Sequence, residues 1–175
     1  IISLSPGAGA VASMSAGLNY GFRRGYWNAL GLQLALALQI GIVATGLGAV
    51  LAASEVAFSV IKWFGVAYLH YLGWKQWMAP PAVVAVASGD AAHGRPRALV
   101  MRGFIVNASN PKAIVFILAV LPQFLDPTRP LLAQYLLLAA TMIAVDLVVM
   151  AGYTGLAARV LRLLRAPHHQ RMLNR

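Results

Sequence analysis

The chain has 175 residues, 60% of them hydrophobic and 10% charged, against about 25% charged residues in ordinary soluble domains. That balance places it in a membrane and leaves no room for a separate soluble domain. Fourteen Lys and Arg against four acids give a net charge of +10, but the arginines sit beside apolar stretches. The excess therefore reads as membrane topology and contact with anionic headgroups, not as nucleic-acid binding. The absence of cysteine excludes disulfides and thiolate metal sites.

In chain order, residues 1–18 are apolar and rich in small side chains, and a turn-like stretch follows from Asn19 to Gly25. This first segment is short of the roughly 20 residues a helical span needs. The sequence opens on isoleucine instead of methionine, so the start of this helix is expected to lie outside it. Trp27 to Ala53 is a full span, closed by the polar pair Ser54-Glu55. Val56 to Met78 is a third span, carrying Trp63, Tyr68, Tyr71, Trp74 and Trp77, the terminal ones suited to an interfacial aromatic belt. Residues 79–97, with their prolines, glycines and charges, form a loop. A fourth span runs from Ala98 to Gln123, a rigid turn covers Asp126 to Pro130, and a fifth span runs from Leu131 to Leu156. From Arg159 onward five arginines and two histidines make a basic tail that cannot span.

Placing the first loop, the third loop and the tail on one side gathers 11 of the 14 basic residues there, which predicts that this side is cytoplasmic. The fold expected is all-α, a polytopic transmembrane helical bundle forming one domain over 1–175. Ser5-Pro6-Gly7 in the first span and Ser109-Asn110-Pro111 in the fourth are a weak internal echo. They suggest an inverted 3+3 repeat, with repeat one at about 1–78, the cytoplasmic loop at 79–97 and repeat two at about 98–175. Helices broken at matching places are the sequence pointer to a midplane binding site, here including Pro6 and Gly7.

Asn110-Pro111-Lys112 interrupts the fourth span. A cation at the bilayer centre costs about 2.5–3.5 kcal/mol on insertion scales. Proline removes a backbone hydrogen bond that lipid cannot replace, so a cavity or a functional contact is expected there. Asn107 and Asn110, three apart on one helical face, can both donate to a carboxylate and accept from an ammonium, or can instead join helices to each other. Pro111 would leave a carbonyl one turn earlier as an open acceptor. Lys112 can pair with a substrate carboxylate or with Asp146, or snorkel to an interface. Asp146 is the only acid inside an apolar span. It can carry a proton between the two sides, or act as a fixed partner for Lys112 or an amide. Tyr153 shares its face.

Gln33 and Gln39 point about 120° apart and cannot both line one narrow path; Gln39, nearer mid-span, is the candidate. His70, between two tyrosines, reads as hydrogen-bonded structure before proton relay. Gly41, Thr45 and Gly48, like Gly152 and Gly155, have spacings that suit close helix contact. His93, His168 and His169 lack acidic partners at metal-ligand spacing, and no nucleotide-binding loop or intramembrane protease motif is present, so neither metal nor cofactor is expected and the chain is not read as an enzyme.

The segment Gly103 to Ala113, followed by Leu121 to Pro127, resembles the central signature of the LysE-type (RhtB-like) translocators. Lys62 to Gly73 is similar to the third helix of that family and Ser5-Pro6-Gly7 to its first-helix motif. The resemblance covers nearly the whole chain. It implies a six-helix bacterial inner-membrane secondary transporter that exports amino acids or related metabolites, driven by the proton gradient. Residues 171–175 resemble the approach to a sixth helix that the sequence does not contain. Two departures bear on substrate identity. Pro6-Gly7-Ala8-Gly9 stands where the family commonly has Pro-Gly-Pro-Asn, and Ala35-Leu36 with Gln39 stand where relatives often carry Gly-Asp and a histidine. The expected binding set is Asn107, Asn110, Pro111, Lys112, Gln39, Pro6 and Gly7, with Asp146 coupling transport to protons. The expected partners are an amino-acid-like substrate, the lipid bilayer and a second copy of the chain. The competing reading is a non-transporting helical subunit or scaffold.

Overall fold

The computed structural model describes residues 7–53, 55–78, 94–126 and 128–165. Six α-helices follow in order: α1 (Ala8–Gly25), α2 (Trp27–Ala53), α3 (Glu55–Trp77), α4 (Pro96–Ala108), α5 (Pro111–Val120) and α6 (Leu131–Arg165), with a 3-10 turn over Leu121–Phe124 after α5. No strand occurs among the described residues. Ser5 and Pro6 of the first-helix motif, the loop histidine His93 and the tail histidines lie outside the described residues.

Two helices are long and apolar enough to cross a membrane alone, through Trp27–Gly46 and Leu131–Val160. A third crossing is available if Pro96–Ala108 and Pro111–Phe124, bent by 58° at their break, count as one span. The described part of α1 and the whole of α3 do not meet that criterion of length and composition among the described residues. Asn19, Arg23 and Arg24 lower the hydropathy of α1, and Glu55, Lys62, His70 and Lys75 that of α3.

Boundaries differ from expectation at two places. The stretch read as a turn from Asn19 is helical, because the Asn19 amide bonds back to the Ser15 carbonyl at 2.8 Å inside α1. The break comes instead at Gly21, whose φ of 73° and ψ of 176° lie outside helical space and in a region only glycine enters cheaply. That reversal brings Gly25 against the α1 backbone, where a Cβ on Gly25 would stand 2.7 Å from the Ala16 carbonyl oxygen. At the other end α6 continues to Arg165 instead of stopping near Leu156. Ala157, Ala158, Leu161, Leu163 and Leu164 favour helix, no glycine or proline interrupts before Pro167, and arginines suit the negative end of the helix dipole.

The described residues form two compact units, one of 7–35, 94–107 and 145–165, the other of 36–53, 55–78, 108–126 and 128–144. In the first unit Ala10, Ala29, Leu32 and Met150 make the apolar centre, with Tyr26, Val106, Val149 and Tyr153 packed on it. Lipid supplies no hydrophobic drive between helices, so close approach rests on small residues. Gly31 of α2 faces the Val100 carbonyl of α4, Gly103 of α4 faces the Asn28 carbonyl of α2, and Gly17 of α1 faces the Thr154 carbonyl of α6, each leaving no space for a Cβ. Gly41 and Gly152 have nothing within 4 Å of that position, and Gly155 meets only the Phe22 ring at ordinary contact distance. Of the glycines that spacing points to, Gly41, Gly152 and Gly155 are not the close-contact ones.

In the second unit Leu36, Ile40, Val43, Ile117, Leu121 and Tyr135 form the core. Gly65 of α3 meets Ala119 of α5, whose Cβ would lie 2.6 Å from one built on the glycine. Outward faces are apolar, with Leu132 and Leu137 of α6 about 70% exposed, as lipid contact requires. Trp74 and Trp77 are exposed near the end of α3, where an interfacial belt would hold them.

The connection into α6 is fastened locally. Asp126 Oδ1 accepts from the Thr128 amide at 2.9 Å and its hydroxyl at 2.6 Å, while Arg129 approaches Asp126 Oδ2 at 3.2 Å. Gln134 closes the loop, accepting from the Asp126 amide at 2.7 Å and donating to the Asp126 carbonyl at 2.9 Å. The Thr128 hydroxyl and then its amide hold the Asp126 carboxyl below the usual aspartate range. A carboxyl whose folded pKa lies below its unfolded value stabilises at every pH above the unfolded value, and that gain disappears as pH falls through the folded one. Protection of the Thr128 amide, taken relative to the intrinsic exchange rate at each pH, is therefore expected to fall on acidification below the ordinary carboxylate range. Thr128→Val should shift that loss of protection to higher pH; an unchanged profile would mean that the hydroxyl contributes nothing.

Candidate functional site

Among the described residues, buried polar side chains are concentrated in the first unit, on α1, α2 and α6: Ser13, Ser15, Asn28, Gln33 and Thr154. Helical spacing aligns Asp146, Met150 and Thr154 at i, i+4 and i+8 along one face of α6, about 6 Å of rise apart at each step. Gln33 of α2 donates its amide N–H to Asp146 Oδ2 at 2.6 Å. One turn along, the Ser13 hydroxyl of α1 donates to the Met150 sulfur at 3.4 Å, and the Asn28 amide reaches the Ser13 oxygen at 3.5 Å. A further turn along, Thr154 stands beside Gly17. The Tyr26 hydroxyl donates to the Leu147 carbonyl at 3.2 Å, tying the start of α2 to α6. On α4, Arg102 donates to the Ser15 hydroxyl of α1 at 3.2 Å.

Ser13, Asn28 and Thr154 are fully buried, and Gln33 is 6% exposed. Within this set Asn28 Oδ1, Gln33 Oε1 and Thr154 Oγ1 are buried without a hydrogen-bonding protein partner. Buried polar atoms of native proteins are nearly always satisfied, and each exception calls for an explanation. Ser13, Asn28 and Thr154 do not stand out from sequence, and Gln33 does so only as the less favoured partner of Gln39. The usable signal was the placement of Thr154 eight residues beyond Asp146, on the same helical face.

The candidates expected from sequence divide between the units. Gly7, Asn107 and Asp146 belong to the first, and Gln39, Asn110, Pro111 and Lys112 to the second. Gly7 precedes α1 in extended backbone, its carbonyl accepting from Val11 at 3.0 Å. Asn107 donates its amide to the Leu32 carbonyl of α2 at 2.9 Å, a helix-joining role. Gln39 is buried in α2.

Asn107 and Asn110 do not share a helical face, because α4 ends at Ala108 and Asn110 is extended, with φ −82° and ψ 103°. Asn110 caps α5: its side-chain oxygen accepts from the Lys112 amide at 3.1 Å. Pro111 is the first residue of α5, where a missing N–H removes no helical bond, so it does not act as a mid-helix kink. Lys112 occupies the first turn of α5 and is half-buried. His70, exposed, donates from Nδ1 to the Val66 carbonyl at 2.9 Å, the structural role expected of it. Tyr153 is half-buried against the apolar centre of the first unit.

Replacing the Asn110 cap is expected to cost about 1 kcal/mol of stability in Asn110→Ala and little in Asn110→Ser, which keeps a capping oxygen. Thermal unfolding in detergent measures this. A transport defect that persists in the well-folded Asn110→Ser protein would mark a role beyond the cap.

The arrangement offers hydrogen-bond acceptors and one carboxylate in a low-dielectric setting, which suits recognition of a small polar solute. A family model for LysE type translocators matches residues 1–175. A homoserine/homoserine lactone efflux protein of Salmonella typhi is 42% identical over 176 residues, covering all of this chain and 84% of the relative. A membrane protein of Vibrio cholerae is also 42% identical over the same coverage. A leucine efflux protein of an Enterobacter species is 26% identical over 166 residues, covering 94% of this chain and 78% of the relative. No solved structure matches. Its helices, its buried polar faces and the whole-length match agree, and the chain belongs to the LysE type translocator family.

Proposed function

We propose that this translocator exports homoserine-like amino acids and their lactones across the bacterial inner membrane in exchange for protons. The observation that carries this reading is the 42% identity, over the entire chain, to a homoserine/homoserine lactone efflux protein. The half-buried Asp146, held by Gln33 inside the long apolar helix α6, supports its assignment as the proton-carrying group. Asn107, Asn110, Pro111, Lys112, Gln39, Pro6 and Gly7 remain the proposed substrate-contacting set. The basic loops and tail face the cytoplasm in this reading, the two halves of the chain are inverted repeats, and a second copy of the chain can complete the path.

Efflux from cells expressing the protein and loaded with labelled homoserine, homoserine lactone or leucine tests the proposal, with and without a protonophore. Accelerated loss of homoserine that the protonophore abolishes is the expected result. Loss at the control rate, with membrane insertion verified, would overturn it.

A further inference from the structure

Homoserine and its lactone share less than their names suggest. The free acid presents an α-ammonium, a carboxylate and a hydroxyl. Ring closure joins the last two into a neutral ester and leaves the ammonium as the one ionisable group in common. A path that takes both has to hold the ammonium, because the carboxylate is present in only one of them.

The first unit contains a place suited to that group. Asp146 is the one carboxylate among its described residues, and it is half-buried, so one side stays accessible. Behind it lies Gln33, more than nine-tenths buried, whose amide nitrogen holds Asp146 Oδ2 at 2.6 Å while its Oε1 has no hydrogen-bonding protein partner. An ammonium carries three donors and no acceptor, which complements a carboxylate beside an unspent amide oxygen. Arg102 of α4 is directed to Ser15, and Arg23 and Arg24 are exposed at the end of α1. Just before α2, the Tyr26 hydroxyl donates a hydrogen bond to the Leu147 carbonyl, and Tyr153 of α6 packs against the apolar centre.

We propose that Asp146 and the Gln33 amide oxygen form the subsite for the substrate α-ammonium, so that the compounds accepted are α-amino carbonyl compounds with or without a free carboxylate: amino acids, their lactones and their esters. This rests on the export reading above. Either a proton or an ammonium neutralises Asp146, and they exclude each other. Arrival of the proton then releases the substrate, and departure of the proton readmits it, which is exchange at a single carboxylate.

The test is competition against labelled homoserine efflux by compounds supplied on the loading side. Homoserine lactone and homoserine methyl ester keep the ammonium and mask the carboxylate; N-acetylhomoserine does the reverse. The lactone and the ester are expected to compete and the N-acetyl compound to fail. Lowering the pH on the loading side should raise KM with little change in maximal rate. Gln33→Leu, which keeps the volume and loses the oxygen, should raise KM about tenfold or more. Gln33→Glu, which restores acceptors, should bring KM back toward the parent value. Competition by N-acetylhomoserine with none from the ester, while homoserine efflux itself persists, would overturn the subsite and leave the export reading standing. Absence of any protein-dependent homoserine efflux would overturn both.

Discussion

Gly103→Ala and Gly31→Ala are expected to lower the stability of the protein by about 3 kcal/mol, the upper end of what overpacking a tight contact costs. A Cβ on Gly103 would overlap the Asn28 carbonyl oxygen and would also lie 3.1 Å from the Leu32 amide. One on Gly31 would overlap the Val100 carbonyl and approach the Phe104 amide at 2.8 Å. These neighbours are main-chain atoms of a facing helix and cannot rotate aside. Relief requires α2 and α4 to separate, and separation stretches the Asn107 bond to the Leu32 carbonyl, 2.9 Å in the intact protein. Gly41→Ala and Gly152→Ala serve as controls, since nothing lies within 4 Å and alanine is the better helix former. Thermal unfolding of detergent-solubilised protein distinguishes the two classes. Equal melting temperatures for all four variants would show that the α2–α4 contact is looser than described.

The second large effect is expected at Asp146. Asp146→Asn keeps the shape of the side chain and an acceptor for the Gln33 amide, so the protein should insert and fold. It removes the one carboxylate among the described residues of its unit, the group proposed to take up a proton and hold a cation. Loss of a charge-assisted interaction is worth about 1.5–3 kcal/mol, which corresponds to roughly 10- to 100-fold in transport efficiency. Uphill export driven by an imposed pH gradient should vanish, and the pH dependence of any residual flux should flatten. Export at the parental rate with the parental pH profile would remove Asp146 from the coupling role.

Much of the helical layout was legible because apolar runs are punctuated by Pro, Gly and charged residues. The limits of α2 and α3 follow from Trp27, the Ser54-Glu55 pair and the tryptophans near residue 77. Asp146 stood out for the same reason, as an acid where lipid tolerates none. Its partner did not, since Gln33 is 113 residues away and the register between α2 and α6 is a tertiary fact with no local signature. Gln39 looked preferable on depth alone. Ser13, Asn28 and Thr154 were passed over because small polar side chains are common in membrane helices, and only packing reveals which of them are enclosed. The glycines failed in the same way: spacing identifies a face, and the facing helix decides whether that face is used. At Asn110 and Pro111 the misreading was of phase, since a break between α4 and α5 turns a kink into a cap.

The fastened turn from Asp126 to Gln134 also orders events in time. Closing so short a loop takes on the order of 10–100 ns, whereas the ribosome adds about 5–20 residues each second. The turn can thus close as soon as Gln134 is free, seconds before the rest of α6 has been made. α1, α2 and α4 contain no acid of their own. A nascent chain that stalls before Asp146 holds the buried amides and hydroxyls of those helices and has no carboxylate among them to carry protons. In the proposed exchange the carboxylate that carries the proton arrives only with α6, so an unfinished chain in the membrane could not leak through that group.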